Sequence, residues 1–341
     1  MSVAAVEGAR ARRLTEWVFR VRELGIIVVL ALLILITGIL EPRFLDAGNL
    51  RNLALNASIF AILAVGQTLV LITRNVDLSV SSVLGLAAFM AGDLLSKNQD
   101  LPLPLVFVLG MALGAVCGLL NGVLTTWGRV PALVVTLGTL YAFRGLAFLW
   151  TDGRQVNAET LPDAFLNLGT DSVLGVPFLV LIALVVILVV GQWLRDYRAA
   201  RELYAIGSNP EGARLAGVRS DRRVLTAFVL AGALAGLGGV LYTARFGTVD
   251  ATAGFGYELT VIAAAVVGGV AIFGGTGSVY GAALGALLLG TITSSLIVLR
   301  VEAFWQQAAI GALLLAAIAF DRLVAVRVEA ALRRRSARRA G

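Results

Sequence analysis

The sequence predicts an all-α polytopic membrane protein of about ten transmembrane helices, with both termini cytoplasmic. Three observations carry that expectation. The 341 residues are 59% hydrophobic and 14% charged, whereas a soluble domain is about a quarter charged. Mean hydropathy is +0.90. The basic residues are sharply segregated between alternate connections along the chain.

The apolar stretches fall near 24–40, 53–73, 78–96, 101–127, 131–151, 173–194, 224–246, 258–274, 279–299 and 304–323. Arg10, Arg12 and Arg13 precede the first like a signal-peptide n-region. No small-residue cleavage site follows Leu40, so a retained anchor is expected. The eighth stretch is short and glycine-rich, which leaves a full span and a broken or re-entrant segment both open. With the N-terminus inside, 21 of the 28 Lys and Arg residues fall on inside segments. Five (Arg43, Arg51, Lys97, Arg154, Arg300) fall outside, and Arg144 and Arg245 fall within spans. That asymmetry sets the orientation. The chain divides into a basic cytoplasmic segment (1–23), a transmembrane domain (24–323) with a cytoplasmic loop at 195–223, and a basic cytoplasmic tail (324–341). The net charge of +7 therefore reflects topology. The tail arginines Arg333, Arg334, Arg335, Arg338 and Arg339 are expected against anionic headgroups of the lipid bilayer, with no nucleic acid.

Absent residues remove whole classes of chemistry. Without histidine, His-ligated zinc and Ser/His or Cys/His catalysis are excluded. The single cysteine, Cys117, excludes an intrachain disulfide. The single lysine, Lys97, stands outside any GxxxxGK[ST] motif, so the chain has no P-loop. No metal site and no catalytic residue are expected.

Glycines recur four apart at Gly110, Gly114, Gly118 and Gly122, at Gly232 and Gly236, and at Gly277, Gly281 and Gly285. Small-residue faces let helix backbones approach closely in lipid, where no hydrophobic effect drives association. Helix packing is the expected role.

Two connections carry more information. In the loop 195–223, Asn209 is a good N-cap, Pro210 suits the first helical position, Glu211 favours the positive helix end and Gly217 can close a short helix. Such a helix could order the loop or act as a lever on a cytoplasmic partner. The second connection, 66–82, turns between the second and third stretches. Asn75 tolerates the left-handed conformation, and Asp77 or Ser79 can cap the next helix. Capping does not account for Gln67, Thr68 and Thr73, since polar groups in membrane helices generally face a protein interior or a cavity.

At these residues the chain resembles the permease subunits of bacterial ABC importers for monosaccharides, the ribose, xylose and arabinose permease family. The resemblance runs from about residue 24 to 322. It rests on Gly66-Gln67-Thr68 with Asp77-Leu78-Ser79-Val80, on Pro131 through Thr139 followed by Arg144-Gly145, on Gly207 through Arg214, and on Gly256-Tyr257-Glu258-Leu259 through Gly274-Gly275-Thr276-Gly277-Ser278. Trp305-Gln306 and Asp321 fit the closing span. Departures from the ribose-type pattern occur at Arg74-Asn75, where two glycines are usual, at Ser81, and at Ser294-Ser295. The Thr73-Arg74-Asn75 form, the Leu149-Trp150-Thr151 stretch and the arginine-rich tail resemble more closely the autoinducer-2 and rhamnose permeases.

The resemblance implies a multi-pass protein of the bacterial plasma (inner) membrane that imports a sugar or sugar-like molecule. It implies a separate cytoplasmic ATPase subunit that hydrolyses the ATP, an extracytoplasmic sugar-binding protein, and a second permease, identical or homologous. This chain would bind no cofactor. Asn209, Pro210, Glu211, Gly212, Ala213, Arg214 and Leu215 match the ATPase-coupling segment, and Asn75, Asp77 and Ser79 the family turn. Candidates for the translocation path are Gln67, Thr68, Asn121, Thr136, Thr139 and Arg144. For Thr136 and Thr139 the alternative is a bond back to their own helix carbonyls. Arg245 and Glu258, near the outside helix ends, are expected to pair with each other. Two other classes compete: a proton-coupled secondary transporter, for which Asp93 and Glu258 are the candidate carboxylates, and a branched-chain amino-acid ABC permease.

Overall fold

The computed structural model describes residues 24–302 and 304–309, together with 311, 312, 315 and 319. The basic segment 1–23, the tail from 324 and much of the last stretch lie outside the described residues. The helices are α1 (Leu24–Leu40), α2 (Ala47–Leu71), α3 (Val80–Lys97), α4 (Leu103–Thr126), α5 (Ala132–Thr151), α6 (Asp163–Thr170), α7 (Phe178–Asp196), α8 (Arg198–Ser208), α9 (Pro210–Leu215), α10 (Ser220–Phe246), α11 (Tyr257–Val267) and α12 (Val279–Val298). Among the described residues, seven helices are long and apolar enough to cross a membrane: α2, α3, α4, α5, α7, α10 and α12.

The positions agree with the apolar stretches, with three revisions. The polar residues Asn49, Arg51 and Asn52 extend α2 beyond its apolar stretch at 53–73. A small hairpin, β1 (Ser172–Val173) with β2 (Val176–Pro177), occupies the start of the sixth stretch, so α7 begins only after Pro177. The eighth stretch is the broken alternative. α11 has 11 residues, about 16 Å at 1.5 Å per residue, too short for a core about 30 Å thick. A glycine-rich loop carries the chain on, and Val261 and Ala263 through Val266 are fully buried.

α2, α3 and α10 form the buried centre, while α4, α5 and α7 expose most of their surface. The glycine faces make the closest crossings. A Cβ on Gly114 would stand 2.0 Å from the Gly232 carbonyl oxygen, and one on Gly236 2.0 Å from that of Gly110, so α4 and α10 meet backbone to backbone. Gly285 meets the Ala264 carbonyl in the same way between α12 and α11. α10 runs from the 195–223 connection, termed the loop end, to the opposite, far end. α2 runs in the reverse sense.

Candidate coupling site

The connection 195–223 folds as two helices, where the sequence analysis identifies one. α8 has a legible signal: Ala200, Leu203, Ile206 and Gly207 at helical spacing are all buried. Arg198 and Glu202, four apart, pair at 3.0 Å. Glu202 also accepts from Arg223 Nε at 2.6 Å, which clasps α8 to α10. The bond from Arg223, followed by that from Arg198, holds the Glu202 carboxyl below its ordinary value near 4.5. Tyr204, its phenol pushed up to about 12 by burial, donates to the Gly277 carbonyl at 3.0 Å.

α9 has the expected caps. Asn209 lies outside the helix at φ −153°, and its Oδ1 accepts from Gly212 N at 2.9 Å. Pro210 opens the helix, Glu211 lies in its first turn and Arg214 in its last. Gly217, at φ 79°, turns the chain out. Ala213 packs inward with Val70, Ile206 and Phe228. Glu211, Arg214 and Leu215 face outward. Leu215 is 82% exposed, a large apolar side chain at the tip of a helix outside the apolar bundle.

The α8–α9 junction is bolted to two turns. Arg74 adopts φ 66°, a region that costs an L-residue about 1–2 kcal/mol and that glycine enters freely. The departure from the glycine pattern therefore has a compensation. Arg74 Nε donates to the Gly207 carbonyl and Nη2 to that of Ser208 at 3.0 Å. From the other side, Gly275 N donates to the Ile72 carbonyl at 2.9 Å. A Cβ on Gly207 would stand 1.8 Å from that Ile72 oxygen and 2.3 Å from Gly275 N, so only glycine permits the approach.

The candidate path residues Gln67, Asn121, Thr136 and Thr139 and the turn residues Asp77 and Ser79, separate in the sequence, form one buried cluster. Thr139 Oγ1 donates to Asn121 Oδ1 at 2.7 Å, and Asn121 Nδ2 to Ser79 Oγ at 2.8 Å. Ser79 donates through Oγ and N to Asp77 Oδ1, at 2.7 and 2.8 Å. Thr136 Oγ1 donates to the Val76 carbonyl at 3.1 Å. The Gln67 amide, oriented to satisfy both its groups, donates to the Asp77 carbonyl at 3.1 Å and accepts from Asp77 N at 3.2 Å. Asn75 donates to Thr73 Oγ1 at 2.9 Å. Thr68 bonds back to the Ala64 carbonyl at 2.7 Å. The cluster fastens the turn to α2, α4 and α5. Its hydrogen-bonding groups are engaged within the chain.

Arg144 lies elsewhere. Its Nη1 donates to the carbonyls of Ala251 and Ala253, at 2.7 and 2.8 Å, and clamps the α10–α11 connection. The pairing expected of Arg245 with Glu258 is replaced: Arg245 Nη2 donates to Asn52 Oδ1 at 2.7 Å. Asp93 is held by Lys97 at 2.7 Å and Arg154 at 3.5 Å. Among the described residues no group of three or more His, Cys, Asp or Glu could hold a metal ion.

α9 is thus a short, capped helix outside the span of the apolar bundle, held at its base. Residues 49–318 match the family described as the permease component of branched-chain amino acid transport systems. The chain belongs to this permease family. The permease is also 37% identical over 313 residues to the autoinducer 2 import system permease protein LsrC of Escherichia coli K12, covering 92% of this chain and 90% of that one. The corresponding protein of Salmonella choleraesuis is 37% identical over 92% of this chain and 89% of its own. That of Shigella flexneri is 36% identical over 92% of this chain and 90% of its own. No solved structure matches. The permease is a multi-pass plasma-membrane protein, in keeping with the seven membrane-competent helices among the described residues.

Proposed function

We propose that this permease is the membrane subunit of an ATP-driven importer carrying a monosaccharide or sugar-like molecule into the cytoplasm, with autoinducer-2, rhamnose or ribose as candidate cargoes. Likeness to the autoinducer-2 permeases over nine-tenths of the chain supports the cargo class. The observation that carries the mechanism is the α8–α9 junction. α9 presents exposed Glu211 and Leu215 outward, while its base is fixed to the turns preceding α3 and α12. A helix of six residues does not persist alone in water, where about 12–15 are marginal, so its surroundings must hold it. A separate ATPase subunit docking on α9 would move both turns together. In this reading the loop end and both termini are cytoplasmic, an extracytoplasmic binding protein delivers cargo at the far end, and a second permease, identical or homologous, completes the assembly. Hydrolysis belongs to the partner, since this chain has no P-loop.

The test is uptake by the assembled complex in proteoliposomes, comparing ATP inside with a proton gradient as the sole energy source. Glu211→Arg with Leu215→Asp should abolish ATP-driven uptake or release the ATPase while leaving the permease in the membrane. Normal ATP-driven uptake by that double variant would refute the coupling role. The family description favours a second cargo class, branched-chain amino acids. Uptake of leucine in preference to ribose, rhamnose and autoinducer-2 would establish it.

A further inference from the structure

The far end holds a mostly apolar cavity with one polar face, and none of the coupling residues lines it. It opens between α2, α10, α11 and α12 with a volume of about 610 Å³, within the range of about 300–1,000 Å³ typical of small-molecule sites. One wall is a face of α2, where Asn49, Asn52 and Asn56 follow one another at helical spacing. Thr260 of α11 and Thr293 of α12 also line it. Phe60 and Tyr257 pack with ring centroids 4.6 Å apart and complete an aromatic wall.

These groups differ in one respect from the buried cluster: several have no partner. Asn49 is engaged, donating to the Phe44 carbonyl and accepting from Ser294. Asn52 accepts from Arg245. Among the described residues Asn56, Thr260 and Thr293 make no side-chain hydrogen bond, and Arg245 Nε is buried without an acceptor. Asn56 is exposed and lies three residues, about 5 Å at 1.5 Å per residue, inside the apolar stretch of α2 that begins at 53. Within that stretch an amide facing lipid is unfavourable. Because it lines a cavity instead of packing on another helix of the chain, the face is suited to water or a polar solute. Amide and hydroxyl groups on one side, with aromatic rings beside them, match a neutral polyol, whose hydroxyls need partners and whose C–H face packs on rings.

We propose that this cavity is the site that holds the transported sugar as it enters the permease from the far end, with Asn56, Thr260 and Thr293 bonding its hydroxyls and Phe60 and Tyr257 packing on its C–H face. The proposal rests on the importer reading above, and its test separates the two. The assembled transporter is reconstituted with its ATPase and binding protein, and uptake of radiolabelled ribose, rhamnose and autoinducer-2 is measured under ATP or under a proton gradient. Asn56→Leu should lower uptake about five- to tenfold, the effect of one or two lost hydrogen bonds, while basal ATP hydrolysis and assembly stay at wild-type levels. Asn56→Gln should restore part of the uptake. In a Cys117→Ala background, an impermeant cationic methanethiosulfonate added outside should modify Asn56→Cys and block uptake without changing hydrolysis.

Wild-type uptake by Asn56→Leu, or failure of the reagent to modify Cys at position 56, overturns the site while leaving the importer reading intact. Gradient-driven uptake without ATP overturns the importer reading, with the variants still testing the site under that drive. Transport of none of the three sugars, or preference for ribose 5-phosphate over ribose, overturns the assignment of a neutral polyol.

Discussion

The two ends of the molecule treat polar residues in opposite ways. At the loop end, Gln67, Asp77, Ser79, Asn121, Thr136 and Thr139 are buried and bonded to one another or to backbone. At the far end, Asn56, Thr260 and Thr293 line an open cavity and bond to nothing among the described residues. The same residue types serve both. A polar group in a membrane helix needs a partner, and whether another helix provides that partner separates a structural brace from a surface for a passing solute. The loop-end residues resemble a path lining when read singly, because each is polar within an apolar span. Their geometry instead fastens the turn, whose Arg74 holds the C-terminal end of α8.

Four experiments test that contrast. The largest effect belongs to Gly207. With the Ile72 oxygen 1.8 Å from the position of an added Cβ, Gly207→Val should prevent accumulation of the folded permease in the membrane, read by quantitative immunoblot. Next is the brace itself. Asn121→Leu removes the link between Thr139 and Ser79 and leaves buried groups unpaired, at about 1–3 kcal/mol. It should lower the midpoint of thermal unfolding in detergent. Asn56→Leu, which removes no internal bond, should leave that midpoint unchanged or raise it, and equal losses for the two variants would erase the distinction.

A smaller effect is expected at Arg74. Arg74→Gly relieves a left-handed backbone worth about 1–2 kcal/mol but removes the bonds to Gly207 and Ser208. The unfolding midpoint should change little while, on the proposed coupling mechanism, ATP-driven uptake falls, because the turn no longer holds the α8–α9 junction. The smallest is the acid sensitivity of the α8–α10 clasp. Since Glu202 titrates below its ordinary value near 4.5 when paired, the folded state holds the charged form more firmly than the unfolded chain does. The clasp is fully formed above that value and lost as pH falls through the folded one. The protection of α8 amides, relative to their intrinsic exchange rate at each pH, should therefore fall in acid, and Glu202→Gln should show the lower protection even at neutral pH.

Features encoded locally were legible in the sequence. Apolar runs located every long helix, and the Asn209, Pro210 and Gly217 pattern located α9 with its caps, because capping depends on residues three or four apart. Four-residue glycine spacing announced close helix crossings, although it could not say that α4 would meet α10. α8 was legible as well, in the buried spacing of Ala200, Leu203 and Ile206, but its basic residues concealed it within a polar loop.

What remained hidden depends on pairs of groups far apart in the chain. Ser79 and Asn121 are 42 residues apart, Arg144 and Ala251 107, and Arg74 and Gly207 133. Composition and periodicity fix which residues lie in the membrane and which helix face is small, since those depend on neighbours along one helix. They cannot fix which donor finds which acceptor, because that requires the helices to be placed around one another. Asn56 and Asn121 are the same residue in similarly apolar spans. Packing alone sealed one into the brace and left the other facing a cavity.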